Sequence, residues 1–426
     1  MPYQPIFSME NLAYPAILAI SLLITFLFAP FTKFLAQKTG ALDVPDKERK
    51  FHRAPTPRLG GIAIAIGFAV TALCASLLIF GELPKIVIVT TVGGLMICAV
   101  GVVDDIFNLP AWLKLLAQAG IATITALWGG AIEYTTIFGT YHLGVFAIPL
   151  TVLWMVLVIN SMNLLDGLDG LACGVSFLSA VVLLLLSILM GEPICAVIAA
   201  AICGSTLGFL PYNVSPAAIF MGDCGSMLLG YIFACLSVFG FFKGATLMSA
   251  VAPALVFALP LIDSAIVFFT RVSQSKNPFK ADRCHLHYKL LDVGFSQAQS
   301  VTIIYVSSAL CCAAAIISLY NKPAAFIIVG VVCLFLLFLK HIDKLIPAIR
   351  KMKAENAAGE ADVGTNNEGA DGAQTHSEST AEEKAVVSDA DSTPAEEAPV
   401  ESGDSAPAEE APVENDDSAP AEEEKQ

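Results

Sequence analysis

Residues 160–170 read Asn160-Ser161-Met162-Asn163-Leu164-Leu165-Asp166-Gly167-Leu168-Asp169-Gly170 and lie between two long apolar runs. Asn160, Asn163 and Asp166 are three residues apart, a spacing that lines side chains along one face of a helix. Glycines then allow the backbone to turn tightly or to approach a ligand closely. Amide and carboxylate oxygens beside glycines suit a hard cation such as Mg²⁺ and the phosphates it carries. The simpler interpretation is a polar loop between membrane helices, and two further acidic clusters argue against it.

Apolar windows recur on both sides of this stretch and predict a membrane protein. The chain has 426 residues, of which 56% are hydrophobic and only 14% are charged. The windows long enough to cross a bilayer as helices are 14–31, 60–80, 86–103, 115–128, 143–159, 171–190, 194–210, 225–242, 248–270, 301–319 and 324–339. Asp263 is the only charged residue inside them. We therefore predict an all-α polytopic fold with about 11 transmembrane helices.

Lysine and arginine predict the orientation. They are frequent in the loop 32–59, after residue 270 and in the segment 340–353, whereas the opposite loops hold only Lys85, Lys243 and Lys322. Cytoplasmic loops carry the excess of basic residues. We therefore expect the N-terminus outside, the C-terminus in the cytoplasm, and every polar cluster on the cytoplasmic face.

From Ala354 onward the composition changes completely. This segment has a net charge of −20, against −15 for the whole chain, so residues 1–353 carry +5. A Pro-Ala-Glu-Glu unit recurs at Pro394, Pro407 and Pro420. Such sequences cannot bury a core. We divide the chain into a membrane domain, residues 1–353, and a disordered acidic tail, residues 354–426, that is dispensable for chemistry.

The loop before the second window contains Lys50, His52 and Arg58, and Gly60-Gly61 follow them. These cations suit a nucleotide or lipid phosphate, and a positive-inside anchor is the equal alternative. Asp104 and Asp105 directly follow the third window. Adjacent carboxylates repel each other, so they call for a cation or a proton.

Three further residues or groups complete the polar clusters. Lys114 opens the fourth window and suits a phosphate, although lysines there are often membrane anchors. Asp223, beside Gly222, precedes a helix, where it would serve as a helix cap or lie near a bound anion. Arg283, His285 and His287 form a basic group. Two histidines can bind zinc, but no third ligand has suitable spacing, so a diphosphate site is preferred.

Taken together, these motifs resemble the bacterial polyprenyl-phosphate N-acetylhexosamine-1-phosphate transferases (glycosyltransferase family 4), from about Asp43 to Gly294. The segment Pro278-Phe279-Lys280-Ala281-Asp282-Arg283, followed by His285-Leu286-His287, is similar to the undecaprenyl-phosphate N-acetylglucosamine-1-phosphate transferases. The muramoyl-pentapeptide branch instead has three consecutive histidines. The resemblance implies about 11 membrane helices, a multi-pass location in the bacterial cytoplasmic (inner) membrane, and Mg²⁺ or Mn²⁺ as cofactor.

The implied reaction transfers N-acetylglucosamine 1-phosphate from UDP-GlcNAc to undecaprenyl phosphate and releases UMP, as the first membrane step of a cell-envelope polysaccharide or teichoic-acid linkage unit. Another UDP-N-acetylhexosamine or UDP-MurNAc-pentapeptide is the alternative donor. We expect UDP-N-acetylglucosamine, undecaprenyl phosphate and membrane lipids as partners, with no nucleic acid and with a homodimer left open.

The resemblance also implies residue roles. The expected catalytic residues are Asp104, Asp105, Lys114, Asp166 and Asp169; the substrate-binding residues are Lys50, His52, Arg58, Asn160, Arg283, His285 and His287; the metal ligands are Asn163 and Asp223. Asp104 or Asp105 would deprotonate the lipid phosphate or attack as a nucleophile, and the sequence does not separate these mechanisms. Three positions depart from the family pattern: Tyr288 replaces a histidine, Ala218 a basic residue and Cys224 a hydroxyl residue.

Three other functions are alternatives to this hypothesis. A cation-coupled transporter would use Asp263, but its acidic residues would be spread across the midplane instead of clustering at one face. A scaffold protein accounts for the tail alone. The CDP-alcohol phosphotransferases need a D-G-x-x-A-R motif, and Asp166-Gly167-Leu168-Asp169 does not continue in that way.

Overall fold

The computed structural model describes residues 13–43, 55–135, 141–241, 247–275, 285–321 and 323–332, together with residues 334, 335 and 338. Lys50, His52 and Arg283, which were predicted to bind substrate, lie outside these residues, as does the tail 354–426. The helices described below belong to the unit Met1–Ala358.

Helices joined by short loops make up most of the described chain. They are α1 Ala13–Thr39, α2 Gly61–Phe80, α3 Lys85–Phe107, α4 Ala111–Gly129, α5 Ala147–Leu165, α6 Leu171–Met190, α7 Pro193–Asn213, α8 Gly222–Leu236, α9 Leu247–Val256, α10 Ala258–Ser273, α11 Leu286–Val293, α12 Gln297–Ser318 and α13 Pro323–Val332. Two antiparallel strand pairs accompany them, β1 Leu42–Asp43 with β2 Thr56–Pro57 and β3 Tyr134–Thr135 with β4 Tyr141–His142.

Nine of the described helices, α1 to α8 and α12, are long and apolar enough to cross a bilayer. The predicted all-α membrane fold is therefore confirmed, and the chain is a multi-pass membrane protein. The number of about 11 spans stays a prediction. The window 248–270 forms two shorter helices, α9 and α10, and the last window is described mainly as the ten-residue α13.

Proline explains the division of the window 248–270. Pro260 has no amide hydrogen to donate to the carbonyl of Val256, and its ring crowds the preceding turn. Between the two helices Phe257 has φ −98° and ψ 11°, outside helical values. α10 therefore begins as a separate helix, and the direction of the chain can change before Asp263.

Helix α8 is the centre of the bundle. Its membrane segment is 94% buried, against 28% for α1 and for α4. Glycines allow this burial at its N-terminal end, because a Cβ on Gly61 of α2 would overlap the Gly225 backbone, and a Cβ on Gly101 of α3 would overlap Cys224. Small residues let helices approach closely in a membrane, where lipid provides no hydrophobic drive for association. The beginning of α8 is thus fixed between α2 and α3.

Candidate active site

Asp223 lies at the centre of a polar cluster where four helices meet. Gly222, with φ +72°, begins α8 and Asp223 follows in its first turn. Its Oδ1 accepts a hydrogen bond from Nδ2 of Asn163 at 3.0 Å, and its Oδ2 accepts one from Nζ of Lys114 at 3.0 Å. Nζ of Lys114 also lies 2.7 Å from Oδ2 of Asp104. The structure therefore brings together four residues that the sequence assigned to catalysis and metal binding.

Local structure explains how α3 and α4 present Asp104 and Lys114. Asn108 ends α3 in the left-handed conformation, with φ +53°, and Pro110 precedes α4. The amide of Leu109 donates to Oδ1 of Asp104 at 2.7 Å, so the turn holds this carboxylate. The Lys114 side chain is 23% exposed and the Asp104 side chain only 6%, so the ammonium is the part of this pair that a ligand can reach.

Asp105 points away from this pair. Its Oδ1 accepts a hydrogen bond from the amide of Asp223 at 3.0 Å, and its Oδ2 accepts one from the amide of Cys224 at 3.0 Å. Adjacent aspartates thus have different partners, one a lysine side chain and the other the backbone of α8.

The loop after α5 carries the next two predicted catalytic residues. Asp166 follows the last helical residue, Leu165, with φ −78° and ψ 58°, so the prediction that it shares a helical face with Asn160 and Asn163 is wrong. Asp166 is half-buried. Burial raises the pKa of Asp166 to about 8, and the charges of Asp223 and Asp105 add to the rise. Oδ2 of Asp169 accepts a hydrogen bond from the amide of Ala217 at 3.0 Å, which joins this loop to the loop before α8.

Asn160 and Asn163 lie on α5 as predicted, one turn apart, but contact different helices. Nδ2 of Asn160 donates to Oε1 of Gln118 in α4 at 2.6 Å and to the Val156 carbonyl at 2.7 Å. Nδ2 of Asn163 donates to Oγ of Ser226 in α8 at 2.9 Å, in addition to Asp223. The substrate-binding role of Asn160 stays a prediction, because its amide nitrogen already serves protein groups.

His285 and His287 are buried beside the loop that follows α5. Nδ1 of His285 lies 2.9 Å from Oδ2 of Asp263, and the Leu286 amide donates to the other oxygen at 2.9 Å. The rings of His285 and His287 are stacked with centroids 5.8 Å apart. A Cβ on Gly167 would overlap the His287 ring, so glycine is required for this contact. Asp263 thus holds the start of α11.

His287 is uncharged at neutral pH. It is 1% exposed, and neither ring nitrogen has a hydrogen-bond partner among the described residues. Burial lowers the pKa of His287 to about 4, although Asp263 acts in the opposite direction. The roles of His285 and His287 in binding a diphosphate stay predictions, and at neutral pH His287 would act there as a neutral hydrogen-bonding group.

Arg58 lies at the strand pair beside the start of α8. Its guanidinium forms an ion pair with Asp43 across β1 and β2. The adjoining backbone is bonded to the loop before α8, since the Phe220 amide donates to the Pro57 carbonyl at 2.7 Å and the Gly61 amide donates to the Met221 carbonyl at 2.8 Å. Arg58 is thus close to the cluster, and its role in binding substrate stays a prediction.

Tyr305 of α12 is a contributor that the sequence did not indicate. Its hydroxyl donates to the Gly170 carbonyl at 2.7 Å, where Gly170 has φ +77°. A Cβ on Gly174 would overlap the Tyr305 ring. A tyrosine in an apolar helix carries no sequence signal for such a contact, because its partner lies 135 residues away.

The cluster fits a divalent cation only if the substrate supplies further oxygens. Among the residues that the structure describes, no three His, Cys, Asp or Glu side chains are grouped so as to hold a metal ion by themselves. Asp223 and Asp104 nevertheless share one cation, the Lys114 ammonium, so their oxygens converge on a positive charge. Mg²⁺ often takes one or two carboxylates and completes its shell with water and substrate phosphates. Asp223 and the side-chain oxygen of Asn163 fit that role.

Comparison with known proteins shows which sequences this chain resembles. The model of glycosyl transferase family 4 matches residues 87–241, which include all of the cluster around Asp223. The chain is 38% identical over 291 residues to a probable undecaprenyl-phosphate N-acetylglucosaminyl 1-phosphate transferase of Bacillus subtilis, covering 67% of this chain and 80% of that protein.

Two more distant relatives extend the comparison. A decaprenyl-phosphate N-acetylglucosaminephosphotransferase of Mycolicibacterium smegmatis is 34% identical over 322 residues, covering 67% of this chain and 77% of that protein. A phospho-N-acetylmuramoyl-pentapeptide-transferase of Staphylococcus aureus is 28% identical over 306 residues, covering 67% of this chain and 93% of that protein. The helices, the polar cluster and these similarities lead to one conclusion: the chain belongs to glycosyl transferase family 4.

Proposed function

We propose that this protein transfers N-acetylglucosamine 1-phosphate from UDP-GlcNAc to undecaprenyl phosphate, giving GlcNAc-diphospho-undecaprenol and UMP. The observation that carries the proposal is the convergence of Asp104, Lys114, Asn163 and Asp223 at the ends of membrane helices. The names of the Bacillus and Mycolicibacterium relatives support the choice of sugar. The branch that takes UDP-MurNAc-pentapeptide is the rival donor class, and the Staphylococcus relative is its representative.

The reaction has to bring two anions together. An oxygen of the lipid phosphate attacks the β-phosphorus of the nucleotide sugar, a new P–O bond forms, and the bond from that phosphorus to the bridging oxygen breaks to release UMP. When bound by Asp223 and Asn163, Mg²⁺ would supply the positive charge that screens this repulsion and stabilises the leaving group. Lys114 would orient the lipid phosphate at the membrane edge. Asp104, beside Lys114, would take up the proton of that phosphate.

We propose that this chemistry takes place on the cytoplasmic face of the bacterial inner membrane, and the excess of lysine and arginine in the loop 32–59 and after residue 270 supports this. UDP-sugars are charged and soluble, so they would reach the cluster from the cytoplasm. Undecaprenyl phosphate would arrive from the bilayer, with its headgroup at the depth of Lys114. The product is the lipid-linked sugar that starts a cell-envelope polysaccharide or a teichoic-acid linkage unit.

The test is a transferase assay on the full chain purified in detergent with undecaprenyl phosphate and Mg²⁺. UDP-GlcNAc, UDP-GalNAc and UDP-MurNAc-pentapeptide are supplied separately, and UMP and the lipid product are measured. We expect turnover with UDP-GlcNAc, which Asp223→Asn abolishes because a neutral amide is a poorer Mg²⁺ ligand than a carboxylate. Preferred turnover of another donor would refute the assigned sugar, and full activity of Asp223→Asn at low Mg²⁺ would refute the assigned metal ligand.

A further inference from the structure

The partners of Asp105 distinguish it from the rest of the acidic cluster. Both of its carboxylate oxygens accept hydrogen bonds from backbone amides. The amide nitrogens of Asp223 and Cys224 each lie 3.0 Å from the oxygen that they bond. These amides belong to the first turn of α8, where a helix has no carbonyl partners of its own for them. A carboxylate in this position acts as a helix cap. Its negative charge is also stabilised by the positive end of the helix dipole. Asp105 supplies this cap from another helix, 118 residues earlier in the chain.

The space around the Asp105 carboxylate is closed. The residue is 7% exposed. A Cβ on Gly222 would lie 2.6 Å from its Oδ2, so the backbone at the start of α8 occupies that side. Gly101, one turn earlier on α3, has its own close contact with the Cys224 backbone. Asp104 is just as buried, at 5% exposed, but it has a different partner, because its Oδ2 contacts the partly exposed Lys114 ammonium.

We propose that Asp105 is a positioning residue and that it neither attacks the substrate nor takes its proton. A nucleophile or general base needs an oxygen directed at the reacting group. Both oxygens of Asp105 instead hold the second and third residues of α8, Asp223 and Cys224. This fixes the backbone of Asp223, and with it the direction in which its carboxylate meets Asn163 and Lys114. The role rests on the proposed transferase function and assigns the proton transfer to Asp104 alone.

The experiment compares Asp105→Asn with the neighbouring Asp104→Asn in the full chain. Asparagine keeps one acceptor oxygen, but its NH₂ group faces the second amide of α8 and cannot accept from it. We expect the melting temperature of metal-free Asp105→Asn to fall by about 2–4 °C. The Mg²⁺ concentration for half-maximal rate should rise on the order of tenfold, because Asp223 is less well oriented. At saturating Mg²⁺ the rate should return to within about tenfold of the unmodified protein. Asp104→Asn should stay inactive at every Mg²⁺ concentration, as expected for a missing proton acceptor.

Two results would overturn the positioning role. One is a folded Asp105→Asn variant whose rate stays roughly 10²–10⁴-fold low at saturating Mg²⁺, the loss expected for a missing general base. The other is an unchanged melting temperature, whatever the rate. If Asp105→Asn does not accumulate, the same measurements are made on Asp105→Ser, which removes both carboxylate oxygens and leaves a hydroxyl one bond nearer to the α3 backbone.

The failure of the proposed function would be visible separately. Unmodified protein that transfers no sugar phosphate from any UDP-sugar would refute the transferase proposal. The melting temperature of the metal-free protein, which needs neither substrate nor turnover, would still test whether Asp105 holds the start of α8.

Discussion

At the scale of single residues, Lys114 connects two carboxylates that would otherwise repel each other. Its ammonium lies 2.7 Å from Asp104 and 3.0 Å from Asp223. An incoming phosphate and a divalent cation would compete for these same contacts. Lys114 is therefore expected to exchange its carboxylate partners for the lipid phosphate when both substrates are bound.

Lys114→Ala should mainly damage the use of undecaprenyl phosphate. A hydrogen bond to a charged group contributes about 1.5–3 kcal/mol, so kcat/KM for the lipid should fall at least about tenfold. The KM for UDP-GlcNAc should change less. Steady-state kinetics with each substrate varied in turn measures both effects, and Lys85→Ala, at an exposed lysine that begins α3, is the matched control. An equal loss for both substrates would contradict the assignment.

His287 should make the protein less stable in acid. Its folded pKa, about 4, is below the ordinary value of 6.5, so the unfolded chain binds the proton more readily. Stability contributed by the neutral ring is present above pH 6.5 and is lost as the pH falls toward 4. His287→Gln should therefore flatten the fall of the melting temperature across this window. Identical pH dependence in the unmodified protein and the variant would show that His287 does not titrate as described.

At the scale of elements, α12 supports the loop 166–170 after α5, although α12 contributes no acidic residue to the site. Tyr305 bonds the Gly170 carbonyl, and the same loop contacts His287 through Gly167. Two separate elements, α12 and the start of α11, therefore hold the loop that carries Asp166 and Asp169. Its conformation depends on both contacts.

Tyr305→Phe removes one of these contacts and keeps the ring. A neutral hydrogen bond contributes about 0.5–1.5 kcal/mol net, so thermal unfolding should occur a few degrees lower and kcat should fall by roughly 2- to 10-fold. Tyr320→Phe is the control, because Tyr320 is 77% exposed just beyond α12. The prediction fails if both variants behave like the unmodified protein.

At the scale of the whole molecule, the chain combines a membrane part of charge +5 with a tail of charge −20. A stop codon at Ala354 should leave transferase activity near that of the full chain, because a tail rich in Pro, Ala and Glu cannot bury a core. Activity per amount of protein in purified membranes measures this. A truncated protein that reaches the membrane but loses its activity would show that the tail takes part in catalysis.

The sequence by itself determined the membrane class and most of the helices. Hydrophobicity over a window is a local property, because a span has to satisfy its backbone internally and match the thickness of the bilayer. The order of the polar motifs also identified the family, and α5 ends at Leu165 beside the predicted Asp166. The window 248–270 was the exception, because Pro260 interrupts a run whose only charged residue is Asp263.

Only the tertiary structure decided which polar groups meet. Lys114 and Asp223 are 109 residues apart, and Asp105 reaches the amides of α8 across a similar separation. Asp263 with His285 and Tyr305 with Gly170 are further pairs that no local pattern contains. Helix neighbours in a membrane are chosen by close packing at small residues and by hydrogen bonds between helices, summed over the whole bundle. Asp104 and Asp105 are the same residue type at adjacent positions. Only the packing of α4 and α8 around them gives Asp104 a lysine as its partner and Asp105 two backbone amides.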